Sequence, residues 1–225
     1  MDPRIRTYYH QYDLDRFFAT DVLEHFQVFV FEKGDEICNS DEPMGHLFFF
    51  VEGRAKVSIT LENGRQLLLS FHRPLQLFGE KEILDVEAVA TTTIEALTTC
   101  ICLGLEKSFV LEHLSEDPKF LRQMWASLSK KLDRVIRNSA INTLTALDNR
   151  VASYILATAE TDADHNLIFT GNLSQIADLL GTSFRHLHRT LQAFCDQGIL
   201  IKTSTTYTVQ SIDELENRAI GVYIV

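Results

Sequence analysis

Short apolar segments of β-type composition occupy the chain from Phe26 to about Leu103. The run QVFVFEKGDEI closes with the turn signal Lys33-Gly34-Asp35, and the run HLFFFVEGRAKVSITLENGRQLLLSFH divides into three strand-like pieces. Glu52-Gly53 separates the first two pieces, and Asn63-Gly64 predicts a two-residue type I′ turn between the last two. Many short strands joined by turns favour a β barrel or jelly roll over alternating strands and helices.

The hydrophobic period changes to that of a helix after Gly104. Pro118 suits the first turn of a long helix, where its missing N–H would have no intrahelical partner anyway. Behind it, five apolar residues at intervals of four and three form one stripe: Leu121, Trp125, Leu128, Leu132 and Val135. Such a stripe can pack on the protein's own β domain, but its length and the charged residues outside it favour a dimer interface between two copies of the helix.

Three further helical patterns follow, and the last two predict a helix-turn-helix. An amphipathic helix from Leu144 to Ala159 comes first. The segments LSQIADLL and SFRHLHRTLQAF then flank Gly181, with Ser174 and Ser183 as candidate N-caps. The residues predicted to face inward are Ile176, Leu179, Leu180, Leu187, Leu191 and Phe194. The next run, DQGILIKTSTTYTVQ, contains a turn and two strand-like pieces, which is the pattern of a wing.

The net charge of -10 is concentrated in the first half of the chain. Residues 1–110 hold 10 basic and 18 acidic side chains, whereas residues 170–225 hold 4 and 5. Total acidity therefore argues only weakly against nucleic-acid binding by the C-terminal segment, because contact with phosphate depends on local clusters of cations. The sequence has no uninterrupted apolar run of membrane-spanning length and no secretory signal pattern, so we expect a cytoplasmic protein without a membrane partner.

The second short helix presents cations and an aromatic ring away from its apolar face. The side chains on this outer side are Phe184, Arg185, His188 and Arg189. Arginine can donate two hydrogen bonds to guanine O6 and N7, histidine can donate to a base or a phosphate, and phenylalanine can touch a thymine methyl. These are the properties of a recognition helix in the DNA major groove, set against the alternative of an ordinary solvated helix face.

In their order along the chain, these segments resemble the cyclic-AMP receptor protein and fumarate–nitrate regulator (CRP/FNR) superfamily of bacterial transcription factors. EKGDEI, LFFFVEGRAKV, ENGRQLLLSF and LFGEKEIL are similar to its sensory β-roll. DPKFLRQMWASLSKKL is similar to the start of its dimerisation helix, and LSQIADLLGTSFRHLHRTLQAFCDQGILI to its DNA-binding helix-turn-helix. The resemblance covers about residues 26–210.

The resemblance implies an α+β fold in three parts. An N-terminal sensory domain, a double-stranded β-helix or jelly roll, is expected at residues 1–112. A long dimerisation helix is expected at residues 113–143, and a winged helix-turn-helix DNA-binding domain at residues 144–225.

The resemblance also implies a homodimer that binds a two-fold symmetric site in double-stranded DNA through one recognition helix, residues 183–194, per half-site. The DNA-binding residues are then Ser174, Ser183, Phe184, Arg185, His188 and Arg189. Arg185 stands where many members have glutamate and Phe184 where many have arginine, so we expect an unusual target sequence. RNA polymerase is a further partner if the protein is an activator.

An effector pocket is implied at Phe78, Gly79, Glu80, Ala90, Thr91, Val135 and Ile136. Members that bind cyclic nucleotides follow the Phe-Gly-Glu signature with an arginine that pairs with the cyclic phosphate, but Ala90 holds its place here. Val135 and Ile136 stand where such members offer hydroxyls to the base. A buried phosphate without that arginine lacks its charge-assisted partner. We therefore expect that cyclic AMP is not the effector, and that another effector or none takes its place.

No other cofactor is predicted. The iron–sulfur branch of the family uses an N-terminal cysteine cluster, and residues 1–37 contain no cysteine. The candidate haem ligands His46, His72 and Cys38 are isolated from one another in the sequence, so we expect them to be structural. The four cysteines, which we expect to be reduced thiols rather than metal ligands, are Cys38, Cys100, Cys102 and Cys195.

Two other classes of function compete with a DNA-binding regulator. A metal enzyme on a β barrel needs a close pair of histidines with a carboxylate, and the barrel segments contain no such pair, so no catalytic residue is predicted. A small-molecule-sensing or interaction module that has lost DNA binding is the stronger alternative. The acidic first half and the unusual Phe184 favour it slightly.

Overall fold

The computed structural model describes residues 1–84 and 89–219, with the side chains of Leu84 and Asn142 left aside. The chain forms two compact units. The first contains residues 1–59 and 72–135, and the second contains residues 60–71 and 136–225. The sequence-based domain boundaries at residues 112 and 143 stay predictions.

Two antiparallel sheets form the frame of the first unit. One has the strand order β1-β8-β3-β6, and in the other β7 lies between β2 and β4. This arrangement confirms the β-rich N-terminal fold that the short strands and turns predict. The strands are β1 (Gln27–Phe31), β2 (Glu36–Cys38), β3 (His46–Glu52), β4 (Ala55–Thr60), β6 (Gln76–Phe78), β7 (Thr93–Ala96) and β8 (Cys100–Glu106), while β5 (Gln66–His72) falls mostly within the second unit.

Helices cover one end of these sheets and close an aromatic core. Phe49 of β3 packs edge-on against Phe17 and Phe26, and Phe18 stacks on Phe120. All five rings are buried. The helices of this unit are α1 (Pro3–Gln11), two 3₁₀ turns (Leu14–Phe17 and Leu23–His25), α2 (Glu80–Leu84), α3 (Lys107–Phe109) continued by a π turn (Val110–Leu114), and the start of α4 (Pro118–Leu144).

In its described residues, the second unit combines the end of α4 and four further helices with a small antiparallel sheet of order β11-β12-β10-β9. The residues predicted to face inward from the two short helices, from Ile176 to Phe194, are all buried. The helices are α5 (Leu147–Thr158), α6 (Leu173–Leu179), α7 (Phe184–Asp196) and α8 (Ile212–Arg218), and the strands are β9 (Glu160–Thr161), β10 (Leu167–Phe169), β11 (Leu200–Thr203) and β12 (Thr206–Val209). The helix-turn-helix and its wing are therefore confirmed.

The turn at Asn63-Gly64 differs from the two-residue type I′ turn expected from the dipeptide. Leu61 N–H donates to the carbonyl of Arg65 (2.8 Å), which closes a three-residue loop, and Gly64 has a positive φ of 77° whereas Asn63 does not. The Asn63 side chain accepts from the N–H of Arg65 (3.0 Å) and holds the chain in this form. A three-residue loop needs only one left-handed residue, so the type I′ prediction was wrong.

Helix α4 has two dissimilar faces. Pro118 begins it, as predicted, and Phe120 and Met124 are buried against the core of the first unit. The predicted apolar stripe lies on solvent-exposed positions, with Trp125 at 76% exposure. Although α4 is the longest described helix, neither it nor any other helix in the described part of the chain is apolar enough to cross a membrane.

Replacing Asp117 with alanine should destabilise the first unit by about 2 kcal/mol, because its carboxylate accepts hydrogen bonds from three backbone N–H groups. Lys119 and Phe120 donate from the first turn of α4, and Ala19 donates at 2.7 Å. The free energy of unfolding in urea measures the loss. The matched control is Asp133→Ala, since Asp133 is exposed in the middle of the same helix; equal effects of the two changes would contradict this role.

The contribution of the Asp117 carboxylate to the free energy of unfolding should depend on pH. Burial raises the pKa of Asp117, but the three N–H donors outweigh it and hold the pKa below its ordinary value. The folded state then binds a proton less readily than the unfolded state. The difference in stability between wild type and Asp117→Ala should be complete above a pH of about 4 and shrink as the pH falls through the folded pKa.

Candidate functional site

The turn between α6 and α7 is a tight C-cap that fixes the two helices of the helix-turn-helix. Gly181 has a φ of 60°, its N–H donates to the carbonyl of Asp178, and the N–H of Thr182 donates to the carbonyl of Ala177. This pair of bonds is a Schellman motif, which favours glycine at its left-handed position. Gly198, with a φ of 72°, ends α7 by the same pattern before the wing begins.

The N-termini of both helices are capped by side chains. Ser183 caps α7, since its Oγ accepts from the N–H of His186 (3.2 Å), as predicted. The cap of α6 is Asn172 rather than Ser174, because Asn172 Oδ1 accepts from the N–H groups of Ser174 and Gln175. Ser174 is therefore free of the capping role and is exposed on the first turn of α6.

The outer surface of α7 carries the side chains expected of a recognition helix. Arg185 and Arg189 are exposed, one helical turn apart. Phe184 is 48% exposed and its ring stacks on that of His188, with centroids 6.1 Å apart and an angle of 28° between the planes. Leu187 and Leu191, on the opposite side, are fully buried. The helix therefore offers cations and an aromatic pair to a ligand while its apolar side anchors it.

A concavity of about 480 Å³ lies along α6 and the turn that leads into the N-terminus of α7. Ser174, Ser183 and Phe184 line it together with Arg65. The Nε of Arg65 lies 2.9 Å from Oδ1 of Asp178 in α6. Arg65 is 113 residues from its partner, so no local pattern in the sequence could have revealed it.

The wing is the antiparallel hairpin of β11 and β12. Ser204 occupies its tip with a positive φ of 57°, and Tyr207 is buried beneath the sheet. The ammonium of Lys202 lies 5.7 Å from the centre of the Tyr207 ring and is exposed, so the wing presents a cation at its edge.

In the first unit, the Phe-Gly-Glu signature directs a carboxylate inward. Gly79 has a φ of 94°, and a Cβ at this position would lie 2.9 Å from the carbonyl oxygen of His46. Only glycine fits both the conformation and the space. The chain then enters α2, whose first residue, Glu80, is 1% exposed.

The buried Glu80 carboxylate is satisfied by two side chains of α4. Lys131 Nζ donates to Oε2 (2.5 Å), and Ser127 Oγ donates to Oε1 (2.7 Å). The ammonium of Lys131 also lies 6.0 Å from the centre of the Phe78 ring. Burial of a carboxylate is costly unless a countercharge and hydrogen bonds accompany it, and α4 supplies both.

Arg134, one turn further along α4, makes a second polar contact with the β domain. Its guanidinium donates to Oε1 of Gln76 (3.1 Å) and lies 3.4 Å from the ring of His72. Burial lowers the pKa of His72 well below its ordinary value, and the cations Arg134 and Lys131 lower it further. His72 is therefore neutral at physiological pH. None of Ser127, Lys131 and Arg134 was singled out by the sequence, because the partners lie about 50 to 60 residues away.

The other residues expected in an effector pocket lie apart from this network. Val135 and Ile136 are 53% and 61% exposed. Ala90 is buried, and its backbone N–H and carbonyl bond to Glu42 and Asp41. Thr91 is exposed. Residues 85–88, which belong to the stretch between the signature and Ala90, lie outside the described residues.

The candidate haem ligands are each held in local packing. Cys38 Sγ contacts Met44 Sδ (3.6 Å), and burial, the largest cause, raises the pKa of Cys38 to about 11. The His46 ring packs against Phe29 and Phe48. Within residues 1–84 and 89–219, no group of three His, Cys, Asp or Glu side chains is arranged to hold a metal ion. The four cysteines are free thiols, three of them buried and Cys195 half-buried.

Comparison with known proteins matches both parts of the chain. A cyclic nucleotide-binding domain model matches residues 28–117, and a Crp-like helix-turn-helix domain model matches residues 149–218. Regulatory protein YeiL of Escherichia coli O157:H7 is 32% identical over 203 residues, 90% of each chain. A CRP-like cAMP-activated global transcriptional regulator of Mycobacterium tuberculosis is 25% identical over 194 residues, 84% of this chain and 86% of that one.

Solved structures show the same fold. A putative transcriptional regulator of the crp/fnr family from Eubacterium rectale aligns with a TM-score of 0.73 at 18% identity, over 87% of this chain and 90% of that one. A CRP-family transcriptional regulator from Thermus thermophilus aligns with a TM-score of 0.66 at 22% identity, over 87% and 98%. The order of β domain, long helix and helix-turn-helix predicted from the sequence is thus confirmed.

Replacing Lys131 with methionine should destabilise the first unit by about 3 kcal/mol, since it leaves the Glu80 carboxylate buried without its cation. Lys130→Met is the matched control, because Lys130 is exposed at the neighbouring position. Unfolding in urea measures both. Adding Glu80→Gln to Lys131→Met should recover part of the loss, since it removes the unpaired charge. Similar stabilities for Lys131→Met and Lys130→Met would contradict the role of this ion pair.

Proposed function

The chain belongs to the CRP/FNR family of transcription regulators and carries that family's helix-turn-helix DNA-binding domain, and from this premise we propose that it is a homodimeric regulator that reads a palindromic DNA site. The recognition helix at residues 183–194 reads each half-site. The regulator uses an effector other than cyclic AMP or none, and the buried ion pair of Glu80 favours none.

The single observation that carries sequence-specific DNA binding is the outer face of α7. Its two arginines are exposed and one turn apart, and its N-terminus is fixed by the Ser183 cap and the Gly181 turn. A rigid helix with exposed guanidiniums is suited to donate bidentate hydrogen bonds to guanine in the major groove. In the described part of the second unit, Arg185 and Arg189 are left exposed and available to a ligand.

Dimerisation is supported by the exposed face of α4. Its large apolar side chains at positions 121, 125, 128, 132 and 135 are between 37% and 76% exposed, and Ile136 adds to them. A contiguous apolar stripe on a helix normally marks an interface, and a self-complementary stripe at coiled-coil spacing fits a second copy of the same helix. Two copies would present two recognition helices to a symmetric site.

Independence from cyclic nucleotides is supported by the network around Glu80. In this chain the carboxylate is already paired with Lys131 and Ser127, and the position of the phosphate-binding arginine is Ala90. A nucleotide would have to break a buried ion pair and then bury its own phosphate without a bidentate cation. The lysine thus takes the place of a ligand that bridges the β domain and α4.

Selection of random duplex DNA by the purified protein, with nothing added, should enrich a symmetric sequence with two half-sites. Arg185→Ala should weaken binding to that sequence by about 1–3 kcal/mol and relax the base preference at one position of each half-site. Electrophoretic mobility shift of the enriched site and of single-base variants measures both effects. Arg6→Ala is the matched control for loss of one positive charge, since Arg6 is exposed on α1.

Three results would contradict this proposal. Enrichment of a sequence without two-fold symmetry would argue against a dimer on a palindrome. Equal binding of the selected and scrambled sequences by wild type and Arg185→Ala would argue against reading of bases by α7. Retention of no DNA even at low salt, where phosphate contacts are strongest, would favour an interaction module that has lost DNA binding.

A further inference from the structure

The aromatic pair on α7 is an unusual feature of a surface that must face a polyanion. Phe184 is the first residue of the helix and is 48% exposed, and its ring lies at 28° to the ring of His188 with the centroids 6.1 Å apart. A single exposed apolar side chain is common on protein surfaces and by itself indicates little. This one, however, stands at the end of α7 that also carries Ser183 and Arg185, where the helix would approach the bases.

The four outward side chains form two parallel rows along the helix. Residues four apart lie one above the other, so Phe184 and His188 form an aromatic row, and Arg185 and Arg189 form a cationic row beside it. The rings of Phe184 and His188 stack with an angle of 28° between their planes, so the phenyl ring has the imidazole on one side and the cationic row beside it.

The chemistry of the major groove gives these rows different partners. Guanine offers two acceptors, N7 and O6, which suit a guanidinium, whereas thymine offers the only apolar group in the groove, its C5 methyl. A phenyl ring can neither donate nor accept an ordinary hydrogen bond, so its most favourable contact with a base edge is with that methyl. Contact removes the apolar surfaces of the ring and the methyl from water, which is favourable.

We propose that Phe184, held in position by His188, reads the C5 methyl of a thymine in each half-site, beside the base pair that Arg185 reads. Phe184 is then a specificity-determining residue, and His188 is a positioning residue that acts through it. This inference rests on the proposed function, because it assumes that α7 enters the major groove. It adds the identity of a chemical group that the helix recognises.

Replacement of single thymines by deoxyuridine in the selected site tests the proposal, since it removes the methyl and leaves every hydrogen-bonding group unchanged. Wild type should bind about four-fold more weakly when one particular methyl is removed from one half-site, and about fifteen-fold more weakly when its symmetric mate is removed as well. Phe184→Ala should bind the thymine and uracil sites equally well. Phe184→Leu should keep part of the preference, because leucine still offers an apolar contact.

Two histidine variants distinguish a positioning role of His188 from the general effect of removing a histidine from the surface of α7. His188→Ala should reduce the thymine preference while Phe184 is still present. His186→Ala should leave that preference unchanged, since the His186 side chain contacts Thr182 and lies outside the stack. Equal loss of preference in both variants would overturn the role of His188.

The outcomes distinguish this inference from the function on which it rests. Wild-type binding that is indifferent to uracil at every thymine, on a site that the protein does select, would overturn the methyl contact and leave the DNA-binding function intact. A loss of affinity in Phe184→Ala without any methyl dependence would show that the ring acts instead as a wedge between bases. Failure to select any site would overturn both.

Discussion

The carboxylate of Glu80 is the group on which the arrangement of the first unit depends. A charge with 1% exposure must be matched within hydrogen-bonding distance, and both partners come from one helix, as Ser127 and Lys131. The spacing of four residues between them puts both on the same face of α4. This requirement fixes α4 along its axis and in its rotation about that axis, because a shift of one residue would turn the lysine away from its partner.

The rotation of α4 has a direct consequence for its opposite face. With Phe120, Met124, Ser127, Lys131 and Arg134 directed toward the first unit, the apolar stripe that includes Trp125 and Leu132 must face solvent. The buried ion pair therefore determines which side chains are available to a second copy of the helix. Residues 136–144 of the same helix belong to the unit that contains the helix-turn-helix. In our proposal, the internal salt bridge takes the structural role that a bound effector would otherwise have.

Most features set by local sequence were predictable, the N-cap of α6 and the turn at Gly64 excepted, and features set by distant partners were not. The caps and turns of α7 follow from Ser183, Gly181 and Gly198, and the buried residues of the helix-turn-helix follow from helical periodicity. The network of Glu80 and Lys131 could not be read from spacing, because 51 residues separate the two and a lysine on a helix is usually solvated. The turn at Gly64 was misjudged for a local reason: the side chain of Asn63 bonds to the backbone and favours a three-residue loop.

Binding of the selected DNA site by protein stripped of every small molecule decides whether the regulator needs an effector. The full chain would be unfolded in guanidinium chloride, dialysed exhaustively to remove any copurified compound, refolded, and compared with untreated protein by fluorescence anisotropy on the same duplex. We expect equal affinity before and after stripping, with no change on addition of cyclic AMP. An affinity lost on stripping and restored by cell extract, with the refolded protein showing the original unfolding curve, would contradict binding without an effector.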